Sequence, residues 1–489
     1  MSLEDIRKAR LEKLNKLRKT GVDPYPAQSS RTHSIEQALS NFDKLVKDKT
    51  ELVLAGRIMA KREQGGLAFL DIDDGSSKVQ LLFKKDDLGE NVFNTLSETI
   101  DIGDFIETKG VLFVTKRGEK TLEANSYKIL TKSLLPLPEK WHGLQDVEER
   151  YRRRYLDLVM NPEVKKVFLI RSKIIEAIRK FLIERGYIEV QTPILQPIYG
   201  GGSARPFVSK LNTLDIQVYM RISNELYLKR LVVGGFEKIF EFSTDFRNEG
   251  IDKSHNPEFT LFEAMTAYED YNFGMNIIED ITEYVVKEIT GGTKINYQDT
   301  NLDFKKPWSR ISMREAIKKY AGLDIEESSD KDLKEFLKNN KIEIKGDYTR
   351  GNAVMAISEE FCEKNFVQPT ILYDYPAETS PLAKQSFSNQ KYVERFEQYA
   401  FGMEIGNNYS ELNNPEILKK NWEEQERALK MGDEEAQRMD EDFINALEIG
   451  MPPTCGIAIS IDRLTMMLTN QRSIRDVILF PFMKPRSDK

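Results

Sequence analysis

The spacing of hydrophobic positions changes along the chain, and each change predicts a different kind of element. Near the start, Leu14 and Leu17 fall on one face of a helix that is expected to end before Gly21, because Pro24 cannot continue it. Its many basic residues allow two interpretations that both stay open. They form either a basic face that contacts the phosphates of a nucleic acid or the solvated side of an amphipathic helix. Residues 1–50 are therefore predicted to be a helix with an extension.

Residues 51–133 change to short alternating stretches, separated by turn signals such as Asp73-Asp74-Gly75. Five short strands over this length predict a barrel of the oligonucleotide-binding (OB) type. Phe69 and Gln80 lie in strands where they would stack on and hydrogen-bond an unpaired base, so they are the candidate base-binding residues of the barrel. For Phe69 taken alone, core packing is the better explanation.

A linker with two prolines is predicted at 134–150, followed by a large domain over 151–489. VKKVFLIRSKIIEAIRKFLIERG reads as a long amphipathic helix with Gly186 as its C-terminal signal. YIEVQTPIL is expected to be a strand that ends at Pro193, and residues of about 275–385 a helical insertion. The predicted fold class is α+β, with an N-terminal barrel and a larger domain built on an antiparallel sheet flanked by helices.

Composition narrows the functional classes. The chain has 489 residues, 40% of them hydrophobic and 31% charged, which is typical of globular proteins with several domains. No apolar stretch approaches the roughly 20 residues of a membrane span, and the charged first segment lacks an apolar leader, so a cytoplasmic protein without membrane contact is expected. Two cysteines and three histidines make a thiolate or histidine metal site implausible, and carboxylate oxygens favour magnesium.

The segment 238–272 reads as a hairpin with a polar loop. Arg247 and Glu249 share one face of the first strand by period two, Phe259 begins the second strand, and His255 and Asn256 lie between them. An arginine for phosphate or carboxylate, an acid for the adenine amino group and a ring for stacking form an ATP site without a glycine-rich loop. For Arg247 and Glu249 alone, a surface ion pair is the simpler explanation.

A second hairpin is predicted over 393–412. If its turn centres between Ala400 and Phe401, Glu397 and Glu404 face each other, and a divalent cation would remove their repulsion. The following polar residues Asn407 and Glu411 have the opposite parity, so a bulge at Gly406 is needed to return them to the same face. Without a bulge they face solvent.

The segment 456–469 reads as an apolar strand that runs into an apolar helix, with Arg463 at the junction. An arginine in so apolar a setting needs a partner because its desolvation is costly. A helix N-terminus beside it favours an anion such as a phosphate.

Together these segments resemble the three signature motifs of class II aminoacyl-tRNA synthetases. YIEVQTPIL resembles motif 1, which in the family builds a dimer interface around its proline; FRNEGIDKSHNPEFT resembles motif 2, and GIAISIDR motif 3. Within the class, GGGSARPF, SNELYLKRLVVGG, MEIGNNYSEL and RDVILFPFMKP are similar to lysyl-tRNA synthetases. The resemblance covers nearly the whole chain. It implies an ATP-dependent ligase, a homodimer, that attaches L-lysine to tRNA(Lys).

The resemblance also implies roles at matching positions. Arg247 and Arg463 would be the catalytic cations, and Glu397 and Glu404 would hold Mg²⁺. The implied ATP-binding set is Arg247, Glu249, His255, Asn256, Phe259, Glu397, Glu404 and Arg463. The implied lysine-binding set is Gly201, Glu225, Arg247, Glu263, Asn407, Tyr409 and Glu411. Of the acids, Glu225 is assigned to the α-ammonium and Glu411 to the ε-ammonium, with Glu263 in support.

The chain departs from the family pattern in two places. Met265 stands where lysine enzymes typically carry tyrosine, which removes a phenol near the ε-ammonium, and Tyr409 stands where phenylalanine is usual. In motif 3, Ala458 and Ser460 replace glycines, which narrows or reshapes the pocket. Two other functions are weighed. One is a ligase that modifies a translation elongation factor, which lacks an anticodon domain, and the other is a synthetase-like tRNA-binding protein without activity.

Overall fold

The computed structural model describes residues 2–138, 144, 146–344, 348–430 and 438–486, and divides the chain into two compact units, Met1–Gln145 and Asp146–Lys489. The predicted linker at 134–150 lies partly outside the described residues. Among the described helices, none has the length and apolar composition that a membrane crossing requires.

The first unit is a closed five-stranded barrel with short helices around it, which confirms the predicted barrel. Its helices are α1 Leu3–Lys19, α2 Ile35–Ser40, α3 Phe42–Lys47, α4 Lys85–Leu88 and α5 Glu90–Thr99, and its strands are β1 Glu51–Gln64, β2 Leu67–Asp73, β3 Lys78–Lys84, β4 Phe105–Val114 and β5 Lys120–Thr131. The strand order around the barrel is β1-β2-β3-β5-β4. Alternate side chains such as Leu54, Leu70 and Leu81 fill the interior with no exposed surface.

The second unit contains most of the remaining elements. Its helices are α6 Val147–Arg152, α7 Arg154–Met160, α8 Pro162–Ile183, α9 Glu225–Val233, α10 Tyr271–Thr290, α11 Met313–Ala321, α12 Asp330–Asn340, α13 Arg350–Phe361, α14 Pro415–Lys430, α15 Glu441–Ile449, α16 Ile461–Leu468 and α17 Ile474–Val477. Its strands are β6 Ile188–Glu189, β7 Leu195–Gln196, β8 Val208–Leu211, β9 Ile216–Met220, β10 Lys238–Phe246, β11 Glu258–Ala267, β12 Lys294–Tyr297, β13 Thr300–Asp303, β14 Ser309–Ser312, β15 Thr370–Pro376, β16 Tyr392–Ala400, β17 Met403–Ser410 and β18 Thr454–Ser460.

An eight-stranded sheet with the order β14-β15-β16-β17-β18-β11-β10-β6 forms the centre of this unit. Its central pairs are antiparallel, as expected, whereas β14–β15 and β6–β10 are parallel. The amphipathic helices α8 and α10 bury their apolar faces in one large core with the sheet, including Ile178, Phe262 and Ile281. Smaller cores under α11–α13 and under α9, α14 and α15 contain other sheet residues.

Three sequence expectations need correction. The strand expected over YIEVQTPIL is reduced to β6 and β7, because beyond Glu189 the backbone N–H of Thr192 donates to the Glu241 carboxylate instead of to a strand. The stretch 275–385 is not purely a helical insertion, since β14 and β15 belong to the main sheet. Arg247 and Glu249 follow β10 and lie in a loop, where the backbone N–H of Asn248 donates to the carbonyl oxygen of Arg205 instead of to a strand.

Candidate active site

A cavity of about 500 Å³ opens on one face of the eight-stranded sheet, and most of the predicted site residues of this unit line it. They come from distant parts of the sequence and include Gly201, Glu225, Arg247, Glu249, His255, Asn256, Phe259, Glu263, Glu397, Glu404, Asn407, Tyr409 and Arg463. Glu411 is the exception, because it is buried and is not part of the lining.

Strand pairing explains how this face is built. Glu263 on β11 lies opposite Ala458 on β18, while Met265 lies opposite Gly456, which in turn lies opposite Tyr409 on β17. Directly opposed residues share a face of the sheet, so period two along each strand carries acids and small residues to the same side. Ala458 lines the cavity beside Glu263, where a family glycine would leave more room.

Gly456 leaves the space that the Glu411 carboxylate needs. A Cβ atom at position 456 would lie 1.9 Å from Oε1 of Glu411 and 3.2 Å from Sδ of Met265. Any side chain there would displace the carboxylate, so the glycine is required for packing. Met265 is buried beside it and has no hydroxyl group to offer the acid.

Lys229 on α9 connects two of the predicted lysine-binding acids. Its Nζ lies 2.6 Å from Oε1 of Glu225 and 2.5 Å from Oε2 of Glu411, and 5.4 Å from the centre of the Tyr409 ring. Burial disfavours the ammonium, but the two carboxylates outweigh it and raise the pKa of Lys229. Burial and the neighbouring Glu225 raise the pKa of Glu411 to about 8, although Lys229 opposes the shift.

The Tyr409 hydroxyl hydrogen-bonds to Glu225, the acid assigned to the α-ammonium side. It therefore does not replace, beside Glu411, the phenol that the family carries at the position of Met265. Burial, followed by the charges of Glu225 and Glu411, raises the pKa of Tyr409 well above its ordinary value, so the group stays a neutral donor.

Glu263 differs from the other acids, because within the described part of the chain it has neither an ion pair nor a side-chain hydrogen bond. Burial raises its pKa well above the usual range, and the nearby carboxylates of Asp245, Glu225, Glu241 and Glu411 add to that shift. A buried carboxyl among other acids favours an added cation strongly.

The acids behind Glu263 already have a partner. Nη1 of Arg221 lies 2.8 Å from Oε1 of Glu241, and its Nε lies 3.2 Å from Oδ1 of Asp245. Burial raises the pKa of Asp245 to about 6 despite Arg221 and Arg247. Arg221 thus pairs with both acids of this second row, and Glu263 has no cation beside it in the part of the chain that the structure describes.

Arg247 lines the same cavity as Glu263 and carries the opposite charge. Its guanidinium lies 5.1 Å from the centre of the Phe259 ring, and its Nε donates to the carbonyl of Ile222 over 3.3 Å. It forms no ion pair with Glu249 or with any other carboxylate among the described residues, so the surface ion pair weighed above is absent. Gly201 has a φ of +84°, which favours glycine. The backbone there passes close to Glu225, since a Cβ at position 201 would lie 3.2 Å from the Glu225 Cβ.

The other end of the cavity carries Arg463, Glu404 and His255. Arg463 is the third residue of α16, and its backbone N–H donates to the hydroxyl of Ser460. Ser460, which stands where the family carries a glycine, therefore acts as the helix N-cap. Nη1 of Arg463 lies 2.7 Å from the carbonyl oxygen of Glu404 and 3.2 Å from its Oε2, and Nη2 lies 3.5 Å from Nε2 of His255. Asn256 has a buried Oδ1 without a hydrogen-bond partner among the described residues.

Glu397 and Glu404 share a face but do not oppose each other directly. The turn centres between Phe401 and Gly402, which both have positive φ, one residue later than assumed. A bulge is present, but its extra residue is Ile405 rather than Gly406. Glu397 lies opposite Asn407 and Glu404 opposite Tyr399, so the bulge returns the polar residues that follow to one face.

These two carboxylates fit a magnesium ion that also binds phosphate. Burial raises the pKa of Glu397 and Glu404 raises it further, although Arg395 opposes the shift. Mg²⁺ usually takes one or two carboxylates and completes its shell with water and phosphate oxygens. In keeping with that, no cluster of three or more metal-binding side chains occurs within the described ranges.

Three further residues shape the site and were missed from the sequence: Lys229, Arg395 and Tyr399. Arg395 pairs with Glu397 and donates from Nε to Oδ1 of Asn407 over 2.9 Å, while the Tyr399 hydroxyl donates to Oε2 of Glu397 over 2.5 Å. Spacing offered a signal for two of them. Lys229 follows Glu225 by four residues on a helix, and Arg395 precedes Glu397 by two on a strand.

In the barrel unit, Phe69 and Gln80 share the outer face of β2 and β3. Both are half-buried, and the adjacent strand positions Ala68 and Val79 point into the core. Gln80 is paired with Asp71, and its Oε1 accepts from the Thr121 hydroxyl over 3.1 Å. Core packing, the simpler explanation of Phe69, therefore does not apply.

Residues 146–484 match the family of tRNA synthetases class II (D, K and N), and residues 52–130 match the OB-fold nucleic acid binding domain. The chain is 50% identical to the lysine--tRNA ligase of Clostridium novyi (strain NT) over 98% of its own length and 94% of the relative. It is 48% identical to the lysine--tRNA ligase of Clostridium tetani (strain Massachusetts / E88), over 97% and 95%. For that of Thermoanaerobacter sp. (strain X514) the identity is 47%, over 99% and 97%.

Proposed function

The chain belongs to the class II tRNA synthetases of the D, K and N group, and we propose that it is a lysine--tRNA ligase. One observation carries the choice of amino acid. A single cavity holds an unpaired buried carboxyl, Glu263, and an arginine without a carboxylate partner, Arg247, among the described residues. A substrate with a carboxylate at one end and ammonium groups along its length satisfies both charges.

In the first step, a carboxylate oxygen of lysine attacks the α-phosphorus of ATP. The bond from that phosphorus to the bridging oxygen breaks, and pyrophosphate leaves with the electron pair. No general base is needed, because the nucleophile is already ionised. Arg247 orients the carboxylate from its position over Phe259, and Arg463 offsets negative charge on the phosphates, so catalysis rests on positioning and electrostatic stabilisation.

In the second step, a ribose hydroxyl at the 3′ end of tRNA attacks the carbonyl carbon of the lysyl-adenylate. An ester bond forms, the bond from the carbonyl carbon to the phosphate oxygen breaks and AMP leaves with its electron pair, while the hydroxyl proton passes to a phosphate oxygen of the leaving AMP. Glu249, His255, Asn256 and Phe259 would hold the nucleoside during both steps, because they line the same cavity as Arg463 and His255 contacts Arg463.

Lysine would be recognised at the acidic end of the cavity. Glu263 lines the cavity and is unpaired among the described residues, so it would make the most direct contact with the ε-ammonium. Glu411 does not line the cavity, and its carboxylate lies against Gly456. Glu225 and the backbone at Gly201 would receive the α-ammonium. Asn407, held by Arg395, and the ring of Tyr409 complete the pocket.

Magnesium is the proposed metal, held by Glu397 and Glu404. When bound there, the ion would supply positive charge that neutralises the phosphates of ATP. Arg395 and Tyr399 keep Glu397 oriented towards this position, and Arg463 orients Glu404. These contacts are made by the protein itself, so the two carboxylates are arranged before any nucleotide arrives.

For tRNA, the proposed contact is the outer face of the barrel, where Phe69 would stack on an anticodon base and Gln80 would hydrogen-bond to one. A homodimer is also proposed. Its support is a set of exposed apolar side chains around the segment that resembles motif 1, among them Ile188, Ile194 and Leu195. A cytoplasmic location follows from the proposed substrates.

The test is amino-acid-dependent exchange of pyrophosphate into ATP, followed by charging of tRNA. We expect exchange with lysine and not with aspartate or asparagine, and lysine transfer to tRNA(Lys). Exchange that does not depend on lysine would contradict the proposal. Lysine activation without tRNA charging would instead favour a ligase that modifies an elongation factor, and binding of tRNA without exchange would favour a non-catalytic protein.

A further inference from the structure

Lys229 is the most buried cation of the acidic end, with 1% of its residue surface exposed. It reaches its position from α9, one helical turn after Glu225, and its ammonium contacts carboxylates from two separate parts of the chain. Burying an ammonium is costly unless it is fully paired, and here Glu225 and Glu411 provide that pairing. The ammonium of Lys229 therefore lies between two acids where the ammonium of a substrate would otherwise be expected.

This arrangement changes the charge that a substrate meets. When all three acids are ionised, Glu225, Glu263 and Glu411 present three negative charges, and Lys229 offsets one of them. Two remain, which equals the number of ammonium groups on free lysine. Without Lys229, the same pocket would hold three neighbouring buried acids, and buried acids without a cation take up protons.

We propose that Lys229 is a positioning residue for lysine recognition: its ammonium joins Glu225 to Glu411, holds both as carboxylates and directs the substrate ε-ammonium to Glu263. This inference rests on the proposed function, because it assigns a role within the same pocket. Lys229 does not contact the substrate in this scheme. It acts through the acids that it binds and through Tyr409, whose ring it faces and whose hydroxyl bonds to Glu225.

The charged and titratable groups around Lys229 come from several elements. Glu225 is on its own helix, Tyr409 is on β17 and Glu411 follows that strand, while Glu263 approaches from β11. Glu241 and Asp245 lie further back and are paired with Arg221. Loss of Lys229 therefore leaves the front acids without a cation of their own and leaves the second row unchanged.

The main test replaces the ammonium with an apolar chain of similar length, Lys229→Met, and measures pyrophosphate exchange from pH 6 to pH 9. At neutral pH we expect the KM for lysine to rise by about tenfold or more, with the KM for ATP within about twofold. The acid limb of kcat/KM for lysine should move to higher pH by about one unit, because Glu225 and Glu411 must first lose protons. At high pH the two enzymes should converge.

Two further variants separate electrostatics from folding. Lys229→Arg keeps a cation and should retain the wild-type position of the acid limb. Lys132→Met is the matched control, since Lys132 is also a buried lysine held between two acids, Asp101 and Asp104, but belongs to the barrel unit. It should lower the Tm without moving the lysine KM or the pH profile.

The outcomes are distinguishable. If the wild-type protein shows no lysine-dependent exchange, the proposed function fails and Lys229 is not the cause. If the wild type is active and a folded Lys229→Met protein keeps both its lysine KM and its acid limb, this inference is overturned. Should Lys229→Met not fold, Lys229→Gln and Lys229→Arg carry the same comparison, and an unshifted limb in Lys229→Gln overturns it equally.

Discussion

The two ends of the cavity are built on different principles. At the acidic end, Glu225, Glu263 and Glu411 are buried. Lys229 pairs with Glu225 and Glu411, and Arg221 pairs with Glu241 and Asp245, whereas Glu263 has no ion pair among the described residues. At the nucleotide end, Glu249 and His255 are exposed and lie on a loop. Charges in a desolvated site discriminate strongly between substrates, whereas exposed charges are weak and exchangeable.

Under the proposed function, the difference predicts that selectivity for the amino acid is concentrated in a few buried groups, while the nucleotide would be held by many modest contacts. Single substitutions should therefore have much larger effects at the acidic end than at the nucleotide end. The predictions below run from the largest expected effect to the smallest.

Glu263→Gln should have the largest effect, because it removes the unpaired buried acid that faces the substrate. Breaking one partner of a buried pair costs about 3 kcal/mol or more, so kcat/KM for lysine should fall by about 100-fold to 1,000-fold. The KM for ATP should stay within about twofold. Glu258→Gln, an exposed acid on the same strand, is the control and should behave as the wild type. A folded Glu263→Gln enzyme with normal lysine kinetics would remove the main difference between the two ends.

Glu411→Gln should impair lysine activation by about 100-fold while ATP binding survives. The variant leaves Lys229 with Glu225 as its one remaining partner, so an excess positive charge meets the substrate ammonium. Pyrophosphate exchange at varied lysine and varied ATP separates the two effects, and Glu416→Gln on the surface helix α14 serves as the control. Equal losses for lysine and for ATP would mean that the acidic end is not specific to the amino acid.

Phe69→Ala extends the comparison to the barrel. Loss of one stacked base costs about 1–3 kcal/mol, so the KM for tRNA in the charging reaction should rise by about tenfold. Adenylate formation should not change. Val92→Ala, an exposed apolar residue on α5, provides the matched control. If pyrophosphate exchange also fell in a folded Phe69→Ala protein, the barrel would not be a separate reader of RNA.

Arg463→Lys should have the smallest effect. The variant keeps the positive charge but loses the forked contact to Glu404, so we expect the KM for ATP to rise by about fivefold and the lysine KM to stay nearly unchanged. Arg472→Lys, at an exposed position that follows the same helix, is the control. An effect as large as that of Glu263→Gln would contradict the distinction between the two ends.

Much of the candidate site was readable from local patterns. Period two along β11 predicts that Phe259 and Glu263 share a face, and the opposite parity after Glu404 indicates a bulge, which the structure contains at Ile405. The turn centre was misjudged by one residue, although Gly402 is a local signal for the second central position of a two-residue turn, where φ is positive. Arg247 and Glu249 were assigned to a strand, because the contact that ends β10, from Asn248 to Arg205, joins residues distant in sequence.

By itself, the sequence determined the barrel, the antiparallel character of the large sheet, the family and most of the residues that line the cavity. These follow from residue spacing, from turn residues and from motifs that act over a few positions. Only the tertiary structure decided which charges are paired. Lys229 pairs with Glu225 and Glu411, Arg221 pairs with Glu241 and Asp245, and Glu263 has no cation beside it among the described residues. Pairing depends on distance and burial between remote segments, and neither quantity is encoded in local sequence pattern.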